Sequence, residues 1–178
     1  MTFANDTAEA LEAAVFLSNS ELEPDTLTSL ADLTTFFDRF GYTGTPPSDR
    51  DLEQMRAIRT PLRRLFQSSR DDAVPLVNGI LAEQHALPQV VRHGDMDWHI
   101  HATSDERPLA ERILVETAMA MVDVIRADEM KRFDHCAMED CEGVVFDLSR
   151  NRSRKYCSVT CTNRAAQAAF RARQADES

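Results

Sequence analysis

Apolar residues recur at helical spacing through most of the first 130 positions. Leu11, Val15, Phe16 and Leu17 trace one stripe, with Asp6 or Thr7 placed to cap its helix. A second stripe runs Leu27, Leu30, Leu33, Phe37 and Phe40, and Thr26 is the expected cap. Gly41 and the Gly44-Thr45-Pro46-Pro47 stretch stop it. Ser48 caps a third helix, with Asp51 at the capping-box position and a stripe of Leu52, Met55, Ile58, Leu62, Leu65 and Phe66. Pro61 lies inside that stripe, so a kink or break is expected there. A fourth helix starts between Asp71 and Pro75 and carries Leu76, Val77, Ile80 and Leu81.

The period then changes. Residues 89–93 and 97–102 alternate around Gly94-Asp95-Met96, which predicts a β-hairpin with Val90 and Val91 facing Trp98 and Ile100. Trp98 is expected in the core. Pro108 opens a long helix with a stripe of Leu109, Ile113, Leu114, Thr117, Ala118, Met121, Val122 and Ile125. This helix should cross the N-terminal domain and deliver the chain to a different kind of module.

That module is marked by cysteine. The first 135 residues hold none; Cys136, Cys141, Cys157 and Cys161 form two close pairs, C-x4-C and C-x3-C, fifteen residues apart. Two such pairs suit a tetrahedral thiolate cage for one structural Zn2+. An iron–sulfur cluster is chemically open to four cysteines, but the spacings do not match the ferredoxin runs. Between the pairs the simplest pattern is a strand over 143–148, a polar turn and a strand over 154–156. Cys157 and Cys161 are four apart and share one face of a helical turn that continues to Arg173. Knuckle, hairpin and ligand-bearing helix make a treble-clef-like zinc finger. Phe146, Tyr156 and Phe170 are expected to form its small core. The predicted fold class is thus a mainly α N-terminal domain with a small β-hairpin (α+β), over 1–130, then the finger over 131–174 and a frayed tail over 175–178.

Charge sharpens the picture. The chain carries a net −10, yet residues 130–178 hold nine bases against seven acids. The bases cluster as Arg150, Arg152, Arg154, Lys155, Arg164, Arg171 and Arg173. Such asymmetry points to a polyanion-facing module on an acidic body. Lys and Arg supply phosphate affinity by displacing counterions. Asn163 either pairs with a base edge or makes a local bond; Arg164 either contacts phosphate or braces the metal loops. One finger binds weakly, so useful affinity would need a homodimer, and the 108–129 helix is a place to look for its surface.

Other chemistry is sparse. There is no P-loop, no dinucleotide-binding glycine turn and no G-x-S-x-G elbow, and the chain has five glycines, so an enzyme is not expected. Four thiolates leave zinc no open position for catalysis. His93, His99 and His101 read either as a second metal site or as ordinary hairpin histidines. Arg56, Arg59, Arg63 and Arg64 mark one flank of the third helix, either a seat for a small anionic effector or a face paired with acids. No apolar run reaches the ~18 residues of a membrane span. The free thiols and the absence of a signal-peptide pattern place the chain in the cytoplasm.

The segment from Cys136 to Arg173 resembles the CGNR zinc finger. The likeness lies in C-x4-C, the Val145-Phe146-Asp147-x-Ser149-Arg150-Asn151 run, the Arg154-Lys155-Tyr156-Cys157-Ser158 approach and Cys161-x-Asn163-Arg164. Thr162 stands where that motif has glycine, which raises the question of backbone crowding near the metal. Upstream, Asn19, the 52–65 stripe, Asn78-Gly79-Ile80-Leu81-Ala82, the hairpin with Trp98 and the long helix resemble the ABATE domain. The resemblance implies a stress-related transcriptional regulator that binds DNA through the finger, with an N-terminal sensing or dimerisation domain. The alternative is an adaptor whose finger docks onto another protein, such as a transcription-machinery subunit.

Overall fold

A computed structural model describes residue 3, residues 5–92 and residues 98–176. The described residues form α1 (Asn5–Asn19), α2 (Leu30–Arg39), α3 (Asp49–Phe66), α4 (Arg70–Glu83), β1 (Gln89–Val91) and β2 (His99–His101). They continue with α5 (Leu109–Arg126), a single 3-10 turn at Met130–Arg132, β3 (Phe133–His135), β4 (Val144–Phe146) and α6 (Val159–Asp176).

Serine caps decide where several helices begin. Ser29, not Thr26, caps α2: its hydroxyl accepts the Asp32 N–H, and the Asp32 carboxylate accepts the Ser29 N–H. That reciprocal box satisfies two of the orphan donors of the first turn. Thr26 lies instead in a loop held by Asp25, whose carboxylate accepts the Leu27 N–H and a bidentate pair from Arg59. Ser48 and Asp51 form the expected box on α3. Ser69 caps α4.

Pro61 neither ends nor divides α3. A proline inside a helix costs about 3 kcal/mol. Beyond it Leu62, Leu65 and Phe66 are all fully buried, and each contributes roughly 1.5–3 kcal/mol. Burial outweighs the lost hydrogen bond.

Helix α5 is the centre of the body, packed against α1, α3 and α4. Ala110, Val115, Ala120 and Val124 are buried as well as Leu109, Ile113, Thr117, Ala118 and Met121. Most of its apolar stripe is thus spent inside the body, while Leu114, Val122 and Ile125 are half-buried along its edge.

The β1–β2 hairpin forms with Val90 opposite Ile100 and Val91 opposite His99. Trp98 is not in the core: it is 66% exposed, and Val90 and Ile100 are exposed beside it. A two-stranded ribbon has two faces, and this one turns outward. His93 and the side chain of His99 lie outside the described residues, so the histidine metal site falls there too. Three arginines of the α3 flank, Arg56, Arg59 and Arg63, are paired with acids, and Arg64 is exposed. Arg59 is buried on Asp25, and Arg63 meets Glu21 at 3.0 Å and the Ser18 carbonyl at 2.8 Å. Those pairs engage Arg59 and Arg63 within the chain.

The main core does not stop at the N-terminal helices. Phe133, Val144 and Phe146 belong to the same buried cluster as Leu11, Leu65 and Met121. The Phe66, Phe133 and Phe146 rings stack in series at centroid distances of 4.9 and 4.8 Å. Strand β4 is buried on both sides. Val144 and Phe146 enter the body core, while Val145, on the opposite face, packs among the cysteines.

Candidate metal centre and nucleic-acid interface

The metal centre is built from three short pieces. Cys136 directly follows strand β3, and its N–H donates to the Gly143 carbonyl at 2.8 Å just beyond the β3–β4 ladder. The β3–β4 connection carries Cys141, in a turn closed by its N–H to the Met138 carbonyl. Cys157 approaches from the other side, and Cys161 sits in the first turn of α6. Ser158 caps that helix: its hydroxyl accepts the Cys161 N–H at 3.1 Å and its carbonyl accepts the Thr162 N–H. The cap thus fixes the ligand directly.

The hairpin differs from the expected one. Its strands are 133–135 and 144–146, and the first cysteine pair lies in its loop. Residues 154–156 form no strand. That stretch is held instead by side chains. The Asp147 carboxylate accepts the Ser149 and Arg154 N–H groups, and the Ala137 N–H donates to the Lys155 carbonyl. The expected small core is also revised. Phe146 belongs to the body core, Tyr156 packs on the cysteines, and Phe170 is 54% exposed.

All four sulfur atoms lie within 4.8 Å of one another. Three separations are 3.6 Å (Cys141–Cys157), 3.7 Å (Cys157–Cys161) and 3.7 Å (Cys161–Cys141). Zinc–sulfur bonds of about 2.3 Å in a tetrahedron imply edges of about 3.8 Å. The thiols are free, and the spacing far exceeds the ~2.05 Å of a disulfide. The donor set fits a closed structural zinc site. As four thiolates with no cation between them, the cluster is disfavoured. Burial pushes the Cys157 thiol well up, and the sulfurs of Cys141 and Cys136 add to the shift. Burial opposes ionisation of Cys136 too, but N–H groups of Cys157 and Met138 prevail and its pKa falls. A bound dication offsets the repulsion of four thiolates.

Gly143 makes the cage close. A Cβ there would sit 2.6 Å from the Cys157 sulfur, 2.9 Å from its Cβ and 3.0 Å from Leu22. Glycine is needed at this position, two residues after Cys141, and the motif reading passed over it. Thr162, by contrast, is exposed and bonds back to the Ser158 carbonyl at 3.0 Å. No crowding arises from it.

The basic residues divide into two sets. Arg154 is exposed, yet its guanidinium donates to the carbonyls of Tyr156, Phe146 and Cys157. Arg164 pairs with Asp140, bridging α6 to the loop of the first cysteine pair. Arg150, Arg152, Lys155, Asn163, Arg171 and Arg173 are exposed. Helix α6 projects from the body: Cys161 is buried, Ala165 is half-buried, and its other residues from Val159 to Ala175 are exposed. Asn19 and Gln67 clamp the finger from the body side. Asn19 bonds both backbone groups of Val144, and Gln67 donates to the Glu142 carbonyl at 3.1 Å. Neither role could be read from spacing, because both partners are more than seventy residues away.

No helix among the described residues is long and apolar enough to cross a membrane. A search of curated proteins returned no match to this chain. Two family models do match. The CGNR zinc finger covers residues 132–174, and ABATE, described as "Putative stress-induced transcription regulator", covers residues 11–128. Neither is an enzyme family. With the sulfur geometry, the finger match assigns one structural zinc ion to Cys136, Cys141, Cys157 and Cys161. The chain belongs to the ABATE family and ends in a CGNR zinc finger.

Proposed function

We infer that this regulatory zinc protein binds DNA through α6 and the loop before it. The observation that carries the reading is the exposure of α6 on nearly all sides. An 18-residue helix spans about 27 Å, and an α-helix fits the ~12 Å major groove. Its alanines at 165, 166, 168, 169 and 172 keep it slim. Arg171 and Arg173 on the helix, and Arg150, Arg152 and Lys155 on the loop, are the phosphate contacts; Asn163 is the candidate base contact. Arg154 and Arg164 position these surfaces and are not the main contacts. The body holds the finger at a set angle, so the two parts act as one reading head.

Salt-titrated binding to nonspecific duplex DNA tests this. Five phosphate contacts give a log–log slope of about −4 to −5. Replacing Arg171 and Arg173 by alanine should lower affinity alike for all sequences and make the slope shallower by about two units. A slope near zero would remove DNA as the partner. The adaptor reading has its own support: Val159 is 76% and Phe170 54% exposed on the same helix. Two apolar groups on a free helix suit a protein groove, and a flat salt response with retained partner capture would favour it.

A further inference from the structure

The four ligands are not equivalent toward solvent. Cys136 and Cys161 are each 6% exposed, whereas Cys141 and Cys157 are half-buried. A cleft of about 1020 Å³ opens between the end of α1, the loop that follows it and the finger. Cys141 and Cys157 both line it; Cys161 touches its wall but is itself buried. The Cys141 and Cys157 sulfurs lie 3.6 Å apart. A closing movement of about 1.5 Å would bring them to bonding distance. Metal ligation keeps such thiols deprotonated, and the thiolate is the form that reacts with peroxide.

We propose that Cys141 and Cys157 are an oxidation site, at which a peroxide entering the cleft converts the pair to a disulfide and expels the zinc. One thiolate attacks the peroxide O–O bond, which breaks; that sulfur becomes a sulfenic acid and the departing oxygen leaves as water after protonation. The second thiolate attacks the sulfenic sulfur. The S–S bond forms, the S–O bond breaks, and the hydroxide takes up a proton to become water. Each sulfur gives up one electron, and one peroxide with two protons yields two waters. The two thiolates that remain, Cys136 and Cys161, cannot complete a four-ligand site. Cys161 is the buried anchor of α6, so metal loss frees the helix. The proposal rests on the metal centre and not on what α6 contacts.

The test uses the whole zinc-loaded 178-residue chain and hydrogen peroxide added in steps. Released zinc is read with a chromogenic chelator, remaining thiols are alkylated, and the disulfide is mapped by peptide mass spectrometry. One zinc per chain should appear in step with a Cys141–Cys157 disulfide, with Cys136 and Cys161 alkylated. Reductant and zinc together should reverse it. Zinc retained under about tenfold excess peroxide, or a first disulfide involving Cys136 or Cys161, overturns the proposal. Cys141→His keeps four zinc-competent ligands. It should release zinc at least about tenfold more slowly; release at the wild-type rate also overturns it.

Discussion

The side-chain amide of Asn19 satisfies both backbone polar groups of Val144. Its Nδ2 donates to the Val144 carbonyl and its Oδ1 accepts the Val144 N–H, each at 2.8 Å. The last residue of α1 thereby acts as a short strand beside β4, the strand that also packs on the cysteines. Body and finger share this strand, so they should not unfold separately. Asn19→Ala strands two backbone groups and should cost about 2 kcal/mol. For a chain of this size that lowers Tm by roughly 4–8 °C. Calorimetry of the zinc-loaded protein checks it: one shifted transition is expected, with zinc content unchanged, and two resolved transitions would disprove the shared strand.

Removing the metal should reach the body for the same reason. Cys157→Ser or a strong chelator should lower the Tm of the helical core as well as release zinc, because Phe133, Val144 and Phe146 lose their outer support. An isolated finger would leave the core transition untouched. Thermal melts followed by far-UV circular dichroism, with and without chelator, separate the two outcomes. Low pH should act in the same direction. Burial and neighbouring sulfurs raise the Cys157 and Cys141 thiols, so protons compete with the metal and zinc affinity should fall steadily as pH drops.

Gly143→Ala places a methyl group where the Cys157 sulfur sits. Contact at 2.6 Å cannot be relieved without moving a ligand, since Leu22 closes the other side. Zinc affinity should fall at least tenfold, about 1.4 kcal/mol or more, in a competition with a chelator of known affinity. Thr162→Gly should leave affinity unchanged, because that side chain points to solvent.

Glu116 on α5 gives the body a pH signature. Burial pushes its carboxyl up to about 7, with Arg112 opposing and Asp105 assisting the rise. The folded state then holds a proton that the unfolded chain, titrating near 4.3, releases. Between these values stability declines as pH rises, and the penalty is complete above pH 7. Glu116→Gln should raise Tm by a few degrees at pH 8, for a gain of about 1–3 kcal/mol. At pH 4 it should change little. An equal shift at both pH values would mean that the carboxyl is not the cause.

Much of this molecule is legible in its amino-acid order. Helical stripes located all four helices before the first hairpin and the long α5, because periodic burial is a local property of the chain. The four cysteines named the metal centre, since zinc's demand for thiolates leaves a mark in composition and spacing alone. Local pattern failed where long-range packing decided. The stripe of α3 beyond Pro61 outweighed the helix-breaking residue. Thr26 lost its capping role because Arg59 holds Asp25. Trp98 looked like core by residue type but faces outward on a ribbon.

What the amino-acid order determined by itself was which residues ligate the metal and which segments are helical. Only the tertiary structure decided how the two halves meet: β4 buries one face in the body and the other among the sulfurs, with Asn19 and Gly143 closing the joint. Only it could single out, among these exposed arginines, the two whose guanidinium groups are engaged within the finger, at 154 and 164. The physical reason is distance along the chain. Spacing encodes neighbours within a few residues, whereas a hydrogen bond from position 19 to position 144 exists only once the intervening helices have packed.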